Sequence, residues 1–261
     1  MYHGIRDNAE YGHPYYEMHT SPAAFSAHMD HLARKGYRTV DLDHVVELIS
    51  HGDDVARVVA ITFDDGYLDF YSSAFPVLLS HGFTATVFII PGFLHNGRGG
   101  QQRDGYMNWA QLREIRRYGI HIGSHSMTHA RLHELPPDDI DRELGLSRHA
   151  IEEGLHCSVS SFSYPYSFPE HNRHFIQDIR ARLQKHGYRH AVSTILGTAG
   201  YRDNRFLLPR LPVNEHDDLA LFDAKLQGAY DWMHAVQRIR KYFTQSSSCD
   251  TRSTTSHSVP A

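Results

Sequence analysis

The chain has 261 residues, 41% of them hydrophobic, enough to bury one large α/β core or two small ones. A formal net charge of −4 gives no basic surface for nucleic acid, and Cys157 and Cys249 form neither a CxxC pair nor a disulfide framework. No apolar run reaches the ~18 residues of a membrane span, and the absence of a signal peptide points to the cytoplasm; a leader missing from this chain would make the protein secreted or periplasmic instead.

In chain order, "MYHGIRDN" places His3 at what reads as a strand end. "SPAAFSAHMDHLARKG" is a helix with Ser21 as cap, Pro22 in its first turn, Phe25, Met29 and Leu32 at helical spacing, and Gly36 as its stop. "YRTVDL" reads as a short strand, followed by a helix from Asp43 to about His51 that Gly52 ends. "VVAITF" is a continuous β-branched run, the pattern of a strand buried on both faces, and "TATVFII" is a second. Between them lies a helical stretch around Tyr71–His81. Asn108 caps "WAQLREIRRYG", "IHIGS" is a strand, and "PPDDIDRELGLSRHAIEEGL" is a long helix. The strand "VSSFSYP" and the helix "PEHNRHFIQDIRARLQKHG" come next. "YRHAVSTI" and "FLLPRLPV" are late strands before the helix "DDLALFDAKLQG".

Strand and helix thus alternate about seven times, which predicts one α/β domain with a largely parallel sheet over residues 1–243. No G-x-G-x-x-G follows the first strand, which leaves a barrel favoured over a dinucleotide-binding sheet. The Ser/Thr-rich tail, 244–261, is expected to be disordered, and "PGFLHNGRGGQQRDGY" is expected to form a polar loop beside a strand's C-terminal end.

Four clusters carry chemistry. The strand ending at Phe63 runs into Asp64 and Asp65, whose like charges repel unless a cation or proton intervenes. Asp-Asp-Gly also suits a plain solvated turn, and both readings stand at this level. After "IHIGS", His125 and His129 are four apart, a spacing that would set both imidazoles on one side of a helical turn. With 22 histidines in the chain such a pair arises readily by chance, but each cluster follows a buried strand, where parallel folds assemble their sites. One carboxylate and two imidazoles make a three-ligand set with open positions, as in hydrolytic metal centres. "FSYPYS" holds Pro165, which stiffens the backbone before the Tyr166 amide, and "LPRLPVN" puts Arg210 between apolar residues, where it needs a partner such as Asp64.

"TFDDGY", "SHSMTH" and "YPYS", in that order, resemble the polysaccharide deacetylase family, also called the NodB-homology or carbohydrate esterase 4 domain, over residues 58–215. The resemblance implies a distorted, incomplete (β/α) barrel and metal-dependent removal of acetyl groups from sugars. By motif, Asp64 would be the general base, Asp65, His125 and His129 the metal ligands, and the Tyr166 amide an oxyanion donor. Tyr67, Trp109 and Pro165 would meet the acetylated carbohydrate, although core packing suits Trp109 equally. The set suits one divalent ion, with zinc preferred and cobalt, nickel, iron or manganese open. Ser163 stands where many members carry an arginine that steadies the catalytic Asp, and Arg210 is the replacement expected from another strand.

The usual late catalytic histidine is also missing. His216 lies in a polar helix start and His234 in a helix. "MYHGIRD" ahead of the Asp-Asp motif resembles the poly-N-acetylglucosamine deacetylases, whose acid histidine is N-terminal as if by circular permutation. His3 is therefore the first choice for general acid, with His216 next. A non-catalytic carbohydrate-binding relative, a deacylase of a small non-sugar amide and a metal-dependent phosphodiesterase are the alternatives.

Overall fold

The computed structural model describes residues 1–7, 18–94 and 105–239. The expected disordered tail, and most of the Gly-rich loop after Pro91, lie outside the described residues. Two short strand pairings and a main sheet organise the rest. β1 (Gly4–Ile5) pairs with β2 (His19–Thr20), and β3 (Arg38–Thr39) pairs with β4 (Val58–Val59), all in parallel. The main sheet is six-stranded and wholly parallel. It runs β5 (Thr62–Phe63), β6 (Thr86–Ile89), β7 (His121–Ser124), β8 (Ser161–Ser163), β9 (His190–Leu196), β10 (Leu208–Arg210) in space as in sequence.

Helices follow the expected punctuation. α1 (Pro22–Arg34) starts on Ser21, whose hydroxyl accepts the Ala24 amide, and α2 (Leu42–His51) ends on left-handed Gly52, φ 72°. A π-helical turn (Phe70–Ala74) leads into α3 (Phe75–Ser80). α4 (Trp109–Arg117) opens with a complete Asn108–Gln111 capping box. α5 (Pro137–Leu155), α6 (Arg173–Lys185) and α7 (Leu219–Leu226) follow, with further helical residues at 233–239. The single strand expected for "VVAITF" is divided: Val58–Val59 pair with β3, and after Ala60–Ile61 the chain changes partner to β6.

An order in which β5 and β10 are the two edges leaves an open sheet, yet the edges nearly meet. Met1 and Tyr2 run between them. On one side the Tyr2 amide donates to the Thr62 carbonyl (2.8 Å) and the Asp64 amide donates to the Tyr2 carbonyl (3.1 Å). On the other, the Met1 nitrogen donates to the Leu211 carbonyl (2.9 Å) and the Val213 amide to the Met1 carbonyl (2.9 Å). The N-terminal segment is thus a seventh stave that joins first edge to last, in an arrangement that matches the distorted, incomplete barrel.

Side chains hold this stave. Tyr2 is buried, stacks on Phe63 at 5.4 Å and meets Phe25 edge-on at 5.2 Å. Its hydroxyl pairs with His28 Nδ1 (3.2 Å), His28 Nε2 reaches the Asp217 carbonyl (2.8 Å), and the Asp217 carboxylate is bound by buried Lys225 (2.7 Å). Tyr2→Ala is therefore expected to cost about 3–5 kcal/mol by analogy with large aromatic truncations, and Tyr2→Phe about 1 kcal/mol for the lost hydrogen bond. Chemical denaturation of both variants checks the ranking; equal losses would mean that the ring packing contributes nothing.

Candidate active site

Asp64 and Asp65 follow β5, the loop carrying His125 and His129 follows β7, Tyr166 follows β8, and Arg210 ends β10. All four segments leave the C-terminal edge of the same parallel sheet, so its curl gathers them at one mouth. Asp64 is 2% exposed and sits opposite Arg210, which forks onto it: Nη1 donates to Oδ1 at 2.8 Å and Nη2 to Oδ2 at 2.7 Å. The guanidinium is itself fixed, with Nε donating to the Ser193 carbonyl (3.0 Å) and the group lying over Phe88, 5.8 Å from the ring centroid. Burial alone pushes the Asp64 carboxyl up, but the Arg210 charge, helped by His125 and the hydrogen bonds, outweighs it and holds the acid well below the usual carboxylate range. Asp64 is ionised.

Asp65 turns the other way, with a left-handed φ of 73°. Its Oδ1 lies 3.5 Å from His125 Nε2 and 3.4 Å from His129 Nε2. Burial pushes its carboxyl above the ordinary value; His3 opposes this and the Asp64 charge adds to it. His125 Nδ1 is 2.8 Å from the Ser163 carbonyl, which only accepts, so the proton sits on Nδ1 and the Nε2 lone pair faces Asp65. Burial, against the pull of Asp64, keeps this ring's pKa lowered and favours the neutral form. One oxygen and two ring nitrogens thus stand within 4.8 Å of one another. A buried carboxylate facing an unprotonated nitrogen is a donor set that suits a divalent cation.

The helical turn expected between the two histidines does not form. Ser126 (φ 64°) and His129 (φ 60°) take left-handed conformations in a loop, and these reversals, rather than i,i+4 geometry, bring the rings to 5.0 Å. Glu143 on α5 secures the loop by accepting from the Met127 (2.8 Å) and Thr128 (2.9 Å) amides and the Thr128 hydroxyl (2.7 Å). On the far side, the Gly92 amide donates to the Met127 carbonyl at 3.0 Å, an approach that a Cβ at position 92 would block.

The remaining expected residues separate into two groups. His3 Nε2 stands 4.0 Å from Asp64 Oδ2. Tyr166, φ 61°, lies beside the cluster with its ring 4.6 Å from that of His129. Tyr67 is half-buried and its hydroxyl bonds to Asp65, so it helps to orient that carboxylate. Pro165 is buried, and Trp109 packs over Gly154 of α5, where an added Cβ would strike its ring. For Trp109 the packing alternative holds. His216 is exposed, its amide donating to Asn214 Oδ1 at 3.0 Å, and His234 is paired with Glu170 at 2.6 Å.

Ser163 has a place that its sequence position did not reveal. Its hydroxyl lies 3.2 Å from Asp64 Oδ1 and accepts from Arg210 Nη2 at 3.0 Å, bridging base and guanidinium. A small residue in the "FSYPYS" strand, opposite an arginine on a later strand, was the available signal. Glu143 left none, because its partners are mostly backbone amides.

Arg210→Gln strands a buried carboxylate and is expected to cost about 3–5 kcal/mol at neutral pH, part of which Asp64→Asn in the same protein should recover. Because the folded Asp64 pKa is depressed, its stabilisation is present above the unfolded value near ~4 and is lost as pH falls below it. The gap between wild type and Arg210→Gln should therefore narrow in acid; denaturation midpoints from pH 7 to pH 3 test this, and a constant gap would contradict it. Tyr67→Phe should weaken divalent-cation binding about 10–100-fold, read by competition with a chromogenic chelator; unchanged affinity would remove Tyr67 from the support of Asp65.

A family model for polysaccharide deacetylases matches residues 51–191. The chain is 28% identical over 228 residues to YxkH of Bacillus subtilis, a candidate polysaccharide deacetylase, covering 87% of this chain and 75% of that protein. Among solved structures, the fold is shared with the deacetylase PplD of Streptococcus pyogenes in complex with acetate (TM-score 0.73, 22% identity, 87% of this chain and 95% of that one). It is shared also with IcaB from Ammonifex degensii (TM-score 0.68, 20% identity, 89% and 94%). Curled parallel sheet, motif order and family match agree: the chain belongs to the polysaccharide deacetylase family.

Proposed function

We propose that the chain is a metal-dependent hydrolase that removes N-acetyl groups from a carbohydrate. One observation carries the reading: a buried, ionised carboxylate, Asp64, stands 4.0 Å from an imidazole, His3, and adjoins Asp65, which with His125 and His129 makes a set that suits a divalent cation. PplD, whose fold the chain shares, is a deacetylase in complex with acetate, the product that this reaction would release.

Asp65, His125 and His129 would hold the ion. A cation bound there acidifies water and withdraws charge from an acetyl oxygen. Asp64 is the base: its carboxylate receives the proton of the attacking water, while the Arg210 fork and Ser163 keep it aimed and unable to swing onto the neighbouring ligands. The Tyr166 amide is the protein's donor to the tetrahedral oxyanion, a contribution of about 3–4 kcal/mol for one such donor.

His3 supplies the leaving amine with its proton. Burial lowers the imidazole pKa to about 4, against the pull of Asp64 and Asp65, so at neutral pH the ring starts neutral. The proton that His3 delivers is then the one that Asp64 took from water, passed across the short separation between them. One proton of the water reaches the amine nitrogen as the C–N bond breaks; the water oxygen stays on the acetyl carbon, and the second proton is released to solvent as acetic acid ionises to acetate.

Acetate release from N-acetylglucosamine oligomers tests the reading. Chelation should abolish release and a divalent ion should restore it. His3→Ala should lower turnover about 10²–10⁴-fold, the usual range for a lost proton donor, with metal content unchanged. Chelator-insensitive release, or full turnover in His3→Ala, would contradict the mechanism.

A further inference from the structure

The mouth of the proposed deacetylase site has a cationic rim, and the selectivity assigned to that rim rests on the deacetylase reading. Tyr166 is 42% exposed, with its ring beside His129. Arg131, also exposed, lays its guanidinium over that ring, with Cζ 4.1 Å from the centroid. Stacking holds the guanidinium flat and leaves its N–H edges free to fork onto an oxyanion.

The nearest acids in sequence lie against other groups. Glu134 is paired with His133 at 3.7 Å, and Glu143 is held by the Met127 and Thr128 amides and the Thr128 hydroxyl. Among the described residues no carboxylate lies within 4.0 Å of the Arg131 guanidinium. Its charge is felt at the His133 ring. Burial lowers the pKa of His133, and Arg131 and His171 push in the same direction against Glu134. Arg6, which stacks on Tyr67 at 5.4 Å, is the contrasting case, because Asp69 pairs with it at 3.4 Å. Of these two stacked arginines, Arg131 is the one whose charge no described carboxylate meets. Shielding of Tyr166 alone would be indifferent to the charge of a substrate.

We propose that Arg131 selects acetylated sugars that carry an oxyanion, carboxylate or phosphate, on the unit beside the scissile acetamido group. The test uses the full chain and three forms of one N-acetylglucosamine disaccharide, with the neighbouring unit bearing a carboxylate, its methyl ester, or a phosphate. Kd is measured by titration calorimetry, with acetate release followed in the same samples. Wild type should bind at least one anionic form about tenfold more tightly than the ester, the scale of one charge-assisted hydrogen bond. Arg131→Gln should bring the ratio close to one, Arg131→Lys should keep part of it, and Arg6→Gln should leave it in place. Preference for both anions supports a general oxyanion site, and preference for one names the group selected. Equal Kd values in wild type, a preference that survives Arg131→Gln, or one lost equally in Arg6→Gln would overturn the assignment. Charge preference without any acetate release would support the rim and count against the deacetylase reading.

Discussion

The site depends on the buried ion pair between Arg210 and Asp64. These residues belong to the two edges of a six-stranded sheet, β10 and β5, and in a flat sheet they would be as far apart as the sheet is wide. They meet through two hydrogen bonds of 2.8 and 2.7 Å because the sheet curls and the Met1–Tyr2 stave closes the gap. The pair is not an obvious gain in stability, since both charges lose their water. Its effect is chemical: it keeps one of two adjacent carboxylates ionised and immobile, and leaves the other to face His125 and His129. Two Asp residues in one turn thereby acquire different environments. Asp64 is answered by a guanidinium from within the chain, while Asp65, pushed up by burial, faces His125 and His129 in a donor set that suits a cation.

Closure by the N-terminal segment also accounts for His3. A residue three positions from the start becomes a fixed part of the mouth because Tyr2 is anchored in the aromatic core and tied through His28 to Asp217 and Lys225. The backbone carries strain at the same place. Asp65, Ser126, His129 and Tyr166 are left-handed although none is glycine, a conformation costing on the order of 1 kcal/mol or more each. Glu143, Gly92 and the buried strands hold those turns.

Much of this was legible from residue patterns. The helix starts at Ser21 and Asn108 and the stop at Gly52 follow from local chemistry, and parallel strands ending just before Asp64 and just before His125 follow from apolar runs. What escaped the sequence was set by tertiary geometry. Helical spacing misjudged the loop from His125 to His129, since two left-handed residues place the rings differently from an α-turn. Trp109 was ambiguous because a sugar-facing and a helix-facing indole look alike in one dimension; the contact with Gly154 decides it. Pro165 lies buried, and the Tyr67 hydroxyl is occupied by Asp65. Arg210 was readable as a buried charge in need of a partner, but Ser163 as the bridge between that charge and Asp64 was not.

The central claim is that the adjacent carboxylates have separate duties. Metal content and acetate release measured together on Asp64→Asn and Asp65→Asn test it most directly. Asp65→Asn is expected to lose the bound divalent ion, and Asp64→Asn to keep it while losing turnover. Loss of metal from both variants alike, or turnover persisting in Asp64→Asn, would contradict the division on which the mechanism is built.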